Sequence, residues 1–276
     1  MPHSQDTTPI VLTIAGSDSG GGAGIQADIK TISATGSYAC SVITAITSQN
    51  TLGVSAIHPI PADHVETQLD AVFSDLNVVA VKVGMLADVE IINMVAKKIR
   101  QYRPEYLVVD PVMIATSGDL LLKHRAIEVL KRELLPLADL ITPNLPEAAA
   151  LISCSVPKTE EEMGSMIEPL RALGAQAVLL KGGHLESDTS SNDLLIERDS
   201  NELLRAKRID TPNTHGTGCT LSSAIASYLA QGNRLHKAVY LGKQYIAQAI
   251  SHADELSIGQ GHGPVNHFFS GHVNVR

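Results

Sequence analysis

Asn213-Thr214-His215-Gly216-Thr217-Gly218-Cys219-Thr220 runs straight into the apolar stretch 221–229. Glycines flank a threonine just ahead of a helical run rich in Ala, Ser and Leu. This predicts free backbone N–H groups on Gly216, Thr217, Gly218 and Cys219 at a helix N-terminus. Such an end carries about half a positive charge, so the loop suits an anion. Cys219 falls in the first turn, where its side chain faces the bound group. The dipole is expected to acidify a thiol there and to let it take a proton. The chemistry predicted is phosphoryl transfer. The plainer reading is a glycine-mediated helix start with a buried cysteine.

Other polar residues stand at the ends of apolar runs. Lys181 puts an ammonium where it can offset charge on a transferring group. Asp110 puts a carboxylate at the edge where it can support a metal ion, and either residue would also serve in a surface ion pair. Thr142-Pro143-Asn144-Leu145-Pro146-Glu147 opens a helix at Pro146. Asn144 and Glu147 are three apart and can face one point, which suits Mg²⁺, an ion that keeps several waters and takes phosphate oxygens. The same spacing is that of an Asn N-cap closed by Glu into a capping box. Thr47 and Gln49 share one side of a strand. The primary amide of Gln49 offers a donor and an acceptor together, matching the edge of an aminopyrimidine or pyridine ring. Gln49-Asn50-Thr51 also reads as a simple polar loop.

Glycines at 16, 20, 21, 22 and 24 follow the first strand. Gly22-Ala23-Gly24-Ile25-Gln26-Ala27 fits a dinucleotide fingerprint, but that fingerprint needs an acidic residue after the next strand. No Asp or Glu occurs between Ile29 and Ala62, so the nicotinamide-cofactor reading fails. A glycine loop that a small substrate approaches closely fits better. There is no G-x-x-x-x-G-K-[ST] run and no protein-kinase motif set. No histidine pairing suggests zinc.

Composition bounds the partners. The net charge of -8 argues against nucleic acid and anionic membranes, and 3% aromatics leave no stacking platform. Positive potential for phosphates must therefore be local: loop amides, a lysine and a metal ion. Three cysteines without CxxC spacing predict neither disulfides nor zinc and fit a reducing cytosol. No apolar run approaches the roughly 18 residues of a membrane span. Residues 1–8 read as a disordered polar tail, and 9–276 as one cytoplasmic domain.

The elements that must position these groups alternate. Strands are expected at 10–15, 41–47, 54–60, 78–83, 106–109, 140–142 and 177–180, and helices at 25–35, 63–74, 89–102, 125–134 and 160–173. Continuous apolar strands between helices predict a mostly parallel sheet covered on both faces. Runs 193–196 and 203–209 around a polar turn predict an antiparallel edge hairpin, followed by helices at 217–230 and 236–253. Ligands of such sheets bind beyond the carboxyl ends of the strands, where Asp18, Gln49, Asp110, Asn144 and Lys181 converge.

Together Leu12–Asp18, Gly21–Asp28, Ser41–Ala45, Gln49–Thr51, Val83–Leu86, Thr142–Ala148, Lys181–His184 and Asn213–Thr220 resemble the ribokinase-like superfamily. Within it they resemble the hydroxymethylpyrimidine/phosphomethylpyrimidine kinases of thiamine biosynthesis. The resemblance implies a three-layer α/β/α sandwich, ATP as co-substrate, Mg²⁺ and a homodimer. It implies that Gly216–Cys219 form the anion hole, with Cys219 where sugar kinases carry an Asp. Lys181, Thr214, His215, Gly216 and Gly218 would face the nucleotide, and Asn144, Glu147 and Asp110 the metal. Gln49 would contact the pyrimidine, with Gly16, Ala23, Asp28, Thr47, Met85 and Val112 around it. The implied reaction phosphorylates 4-amino-5-hydroxymethyl-2-methylpyrimidine and then its monophosphate. Rival readings are a pyridoxine or pyridoxal kinase, a catalytically silent ligand-binding relative of the fold, and a general sugar kinase.

Overall fold

The central strands are apolar on both sides because both sides are roofed. The computed structural model describes residues 8–113, 124–183, 185 and 189–271. Residues 1–7 of the expected tail, and His184, lie outside them. The first half comprises β1 (Ile10–Asp18), α1 (Gly24–Ala34), β2 (Tyr38–Asn50), β3 (Gly53–Pro59), α2 (Ala62–Asp75), β4 (Val78–Val83), α3 (Val89–Tyr102) and β5 (Tyr106–Val109). Then come α4 (His124–Val129), a π turn (Leu130–Leu134), β6 (Leu140–Ile141), α5 (Leu145–Ile152), α6 (Glu160–Ser165), α7 (Ile167–Arg171) and β7 (Ala177–Lys181). β8 (Asp193–Glu197), β9 (Asn201–Leu204), α8 (Thr217–Ala230) and α9 (Leu235–Ser251) complete it.

These strands form one nine-stranded sheet in the order β3-β2-β1-β4-β5-β6-β7-β8-β9. On one face Leu12, Ile14, Val81, Val83 and Val109 pack with α2, α3 and α5. On the other, Val11, Ala80, Val108 and Leu179 pack with α1, α8 and α9. Period-two alternation sorts the strand residues, so Lys82, two after Ala80, points to the α1/α8 side. The helices start where sequence allows. Asp88 caps α3 by accepting from Glu90 N and Ile91 N, and Asn144 caps α5.

The expected antiparallel edge is present, β7 with β8 and β8 with β9. Its outer strand ends at Leu204 rather than running on to 209, opposite Asp193 where β8 begins, and past that point the pairing survives only as the isolated bridge of Ser190 with Lys207. Beyond Leu204 the chain bonds irregularly instead, Ala206 N to Asn192 Oδ1 at 2.9 Å and Ser191 N to Ala206 O at 2.8 Å. A second antiparallel edge was not foreseen: β3 folds back on β2, so Gln49 lies in a strand rather than a loop. The single helix expected over 160–173 is two, broken at Met166. Pro169 has no N–H to bond the carbonyl of Ser165, four residues earlier.

Candidate active site

The strand order reverses between β1 and β4, whose outgoing connections run to opposite edges. Their carboxyl ends therefore part around a crevice, the usual ligand position in such sheets. β1 delivers Gly16 and Asp18 to it, and β4 leads into Gly84 and Met85. Backbone and side chains are close here. A Cβ on Gly16 would stand 2.4 Å from Met85 Cε, the flexible end of that side chain, so Gly16 and Met85 pack directly on each other.

The anion loop lies opposite. Gly216 is the N-cap of α8 with φ 81, and a Cβ there would fall 1.9 Å from Gly22 O. Gly216 is thus what lets the two glycine loops meet. The first helical bond of α8 is Thr220 N to Gly216 O at 2.9 Å, which leaves the Gly218 and Cys219 amides ahead of it. The Thr217 amide turns back to Thr214 O at 3.3 Å. Beside Gly218 sits Lys181, its Nζ 2.8 Å from Asp110 Oδ1 and 4.0 Å from Glu147 Oε2. Burial works against the Asp110 carboxylate, but Lys181 and Lys82 outweigh it and hold it below the usual range. Burial also pushes Glu147 up to about 7 despite Lys181. Asp110 further accepts from Thr142 Oγ1 at 2.9 Å.

The acceptor side is a chain of polar contacts. The carboxylate of Asp18 accepts from Gly20 N, Gly22 N and Ala23 N at 2.8, 3.0 and 2.8 Å. His215 Nε2 lies 3.0 Å from Asp18 Oδ2 and 3.3 Å from Gln49 Nε2. Thr47 Oγ1 donates to Ser17 O at 2.7 Å and touches Gln49 Oε1 at 3.3 Å. Thr47 and Gln49 do share a side, with the Thr47 hydroxyl against the amide. Val112 is half-buried next to Asp110, its N–H bonded to Asp110 O at 2.8 Å. A strap from the C-terminal region closes this side. Gln260 N and Gly261 N donate to Thr51 Oγ1 at 3.2 and 3.1 Å, and His262 N donates to Thr51 O at 3.0 Å. Gly263 N donates to Asn213 Oδ1, and His215 N to Gly263 O, both at 3.0 Å.

Four expectations need correction. Asp28 is not a pocket residue; it is fully buried and its carboxylate is taken up by Lys82, Thr13 and Ser223. The His215 imidazole is taken up by Asp18 and Gln49 rather than left free for a nucleotide. Asn144 spends its side chain on Glu147 N at 2.8 Å while Glu147 Oε2 takes Asn144 N at 2.8 Å, a closed capping box. The capping amide is therefore withdrawn from the metal set. Cys219 is not acidified: burial pushes its thiol up to about 11, with Lys82 pulling the other way. Desolvation outweighs both Lys82 and the Gly24 amide.

One residue escaped the sequence reading altogether. Lys82 sits inside the otherwise apolar strand Val78–Val83, and a lysine in a doubly covered strand signals a buried acidic partner. Among the described residues, no group of three His, Cys, Asp or Glu could by itself hold a metal ion.

The sequence pattern described as phosphomethylpyrimidine kinase matches residues 18–266. Over 261 residues the chain is 54% identical to a hydroxymethylpyrimidine/phosphomethylpyrimidine kinase of Rhizobium meliloti, covering 95% of this chain and 97% of the relative. It is 52% identical over 260 residues to a thiamine biosynthesis bifunctional protein of Geobacter sulfurreducens, covering 94% of this chain and 52% of that one. Among solved structures it resembles the ADP complex of a Bacillus subtilis pyridoxal kinase, with a TM-score of 0.87 at 37% identity. That match covers 95% of this chain and 98% of the other. The layered sheet is accordingly ribokinase-like, and the chain's family is one of ATP-using phosphotransferases. The chain is a member of the phosphomethylpyrimidine kinase family.

Proposed function

We propose that the chain transfers the γ-phosphoryl group of ATP to the hydroxymethyl oxygen of 4-amino-5-hydroxymethyl-2-methylpyrimidine, and in a second round converts the monophosphate to the diphosphate. In the first round the thiolate form of Cys219 takes the alcohol proton as the oxygen attacks the γ-phosphorus. The bond between the β- and γ-phosphates breaks, and ADP leaves. The Gly218 and Cys219 amides stabilise the transferring oxygens, and Lys181 offsets charge on the triphosphate. Gln49, lying against Thr47 and His215, reads the aminopyrimidine edge between Gly16, Ala23, Met85 and Val112.

A magnesium ion carried in on the triphosphate fits this carboxylate set only if most of its ligands are phosphate oxygens and water. Glu147 already accepts Asn144 N, and Asp110 already pairs with Lys181. Asp110 and Glu147 would then hold the ion through water, and the ion would supply charge neutralisation at the phosphates.

The observation that carries the reading is the 3.3 Å approach of Gln49 to His215. It brings a ring-reading amide onto the loop that carries Cys219. Mass spectrometry after incubation with ATP tests it: mono- and diphosphorylated pyrimidine should both accumulate. A larger specificity constant for pyridoxine than for the pyrimidine alcohol would reassign the site to vitamin B6. The same reading includes a homodimer and a reducing cytosolic setting. For the first, light scattering should give twice the 29.3 kDa chain mass.

A further inference from the structure

Lys82 and Asp28 are both completely buried and lie on the α1/α8 face of the sheet. Lys82 Nζ bonds both Asp28 oxygens at 2.8 Å. Thr13 Oγ1 completes one side of the carboxylate at 2.6 Å, and Ser223 Oγ the other at 2.7 Å. Ser223 stands four residues after Cys219 on α8, so the two share one helix face. Asp28 grips that face one turn below the sulfur. The ammonium sits at the carboxyl end of β4, where a Cβ on Gly84 would come within 2.9 Å of Nζ. Gly84 in turn leads into Met85 of the acceptor wall.

We propose that Lys82 is a positioning residue for the transfer: held by Asp28 beneath the first turn of α8, its ammonium sets how readily the Cys219 thiol yields its proton. The inference rests on the role given to Cys219 above. Stability alone does not explain the pair, since apolar side chains of similar volume commonly serve a core as well as a buried ion pair does. Four charged groups face the thiol: Lys82 from β4, Asp28 from α1, Asp110 after β5 and Lys181 from β7. Among them Lys82 exerts the largest pull, toward thiolate, against Asp28 and Asp110. The Gly24 amide also bonds the sulfur and favours the anion. Lys82 itself stays charged: burial works against it, and Asp28, with Cys219 and Asp110, outweighs the burial.

The test is iodoacetamide alkylation read at the Cys219 peptide by mass spectrometry, at pH 9 and without nucleotide. Lys82→Met should slow it about tenfold, one pH unit of thiol ionisation. Asp28→Asn should speed it by a similar factor, because the thiolate then becomes the counter-ion of Lys82. The double variant Lys82→Met/Asp28→Leu keeps the core apolar and filled, and should also alkylate slowly. A general loosening of the fold would speed alkylation in all three. Equal rates in wild type and the double variant, or shifts of one sign in both single variants, would overturn the proposal. If Lys82→Met does not fold, the other two variants decide. The opposed shifts with no phosphorylation of the pyrimidine alcohol would sink the kinase reading while leaving the electrostatic link standing.

Discussion

At the scale of single residues, the proposed chemistry turns on a thiol that burial keeps protonated. With Cys219 pushed up to about 11, its thiolate fraction rises about tenfold per pH unit through the neutral range. The first transfer needs that base, because an alcohol must lose its proton. The second does not, because a phosphate oxygen is already anionic. The rate of the first round should therefore climb between pH 7 and 9 while the second stays flat, as single-turnover assays of each round would report. Cys219→Ala should slow the first by about 10²–10⁴-fold and spare the second; equal losses would remove the sulfur from the proton's path. Gln49→Ala should raise KM for the pyrimidine alcohol by about ten- to a hundredfold, since the bound ring then loses its hydrogen-bonding partner. KM for ATP should stay the same. Steady-state kinetics with each substrate varied in turn reads both.

At the scale of elements, the two sides of the site depend on segments far apart in the chain. The strap 259–263 ties the β2–β3 turn at Thr51 to Asn213 at the head of the anion loop. A Cβ on Gly261 would stand 2.2 Å from Thr51 O, a backbone atom that cannot swing away. Gly261→Ala should cost about 1–3 kcal/mol of stability and raise KM for the alcohol, because Thr51 follows Gln49 by two residues. Chemical denaturation and initial-rate kinetics would check the two effects separately. The strap continues to His267, buried at 4% exposure, whose Nε2 lies 3.1 Å from Thr220 Oγ1. Burial, with Lys30 adding to it, pushes this imidazole down to about 4. A histidine whose folded-state pKa is depressed adds stability fully present above about 6.5 and lost as pH falls toward 4. The contribution at neutral pH is about 3 kcal/mol at most. His267→Gln should therefore flatten the fall in the urea midpoint between pH 6.5 and 4, and an unchanged slope would contradict this account.

At the scale of the whole molecule, what could be read from sequence was what local pattern encodes. β4 and α3 fall where expected because a bounded apolar run and the Asp88 cap mark their ends. The start of α8 was legible because Gly216 and Gly218 flank its first residue, Gly216 as the N-cap and Gly218 within the first turn. Pairings across the fold were not. Lys82 meets Asp28 across 54 positions, and His215 meets Asp18 across 197; sheet register and helix packing decide both. The Cys219 thiol was misjudged because the dipole is written locally, whereas depth of burial is a property of the assembled layers. Asn144 and Glu147 admitted two readings by spacing, and only the closed box separates them.

The strap carries a consequence for synthesis. All nine strands are already specified by residue 204, yet the clasp that finishes the acceptor side comes from 259–263. A nascent chain leaving the ribosome thus owns its entire sheet long before it can grip a substrate. Until α8 and α9 have also emerged, one face of that sheet has only α1 to cover it, so arrest short of them would release an unfinished core, and arrest after them a covered sheet without its clasp.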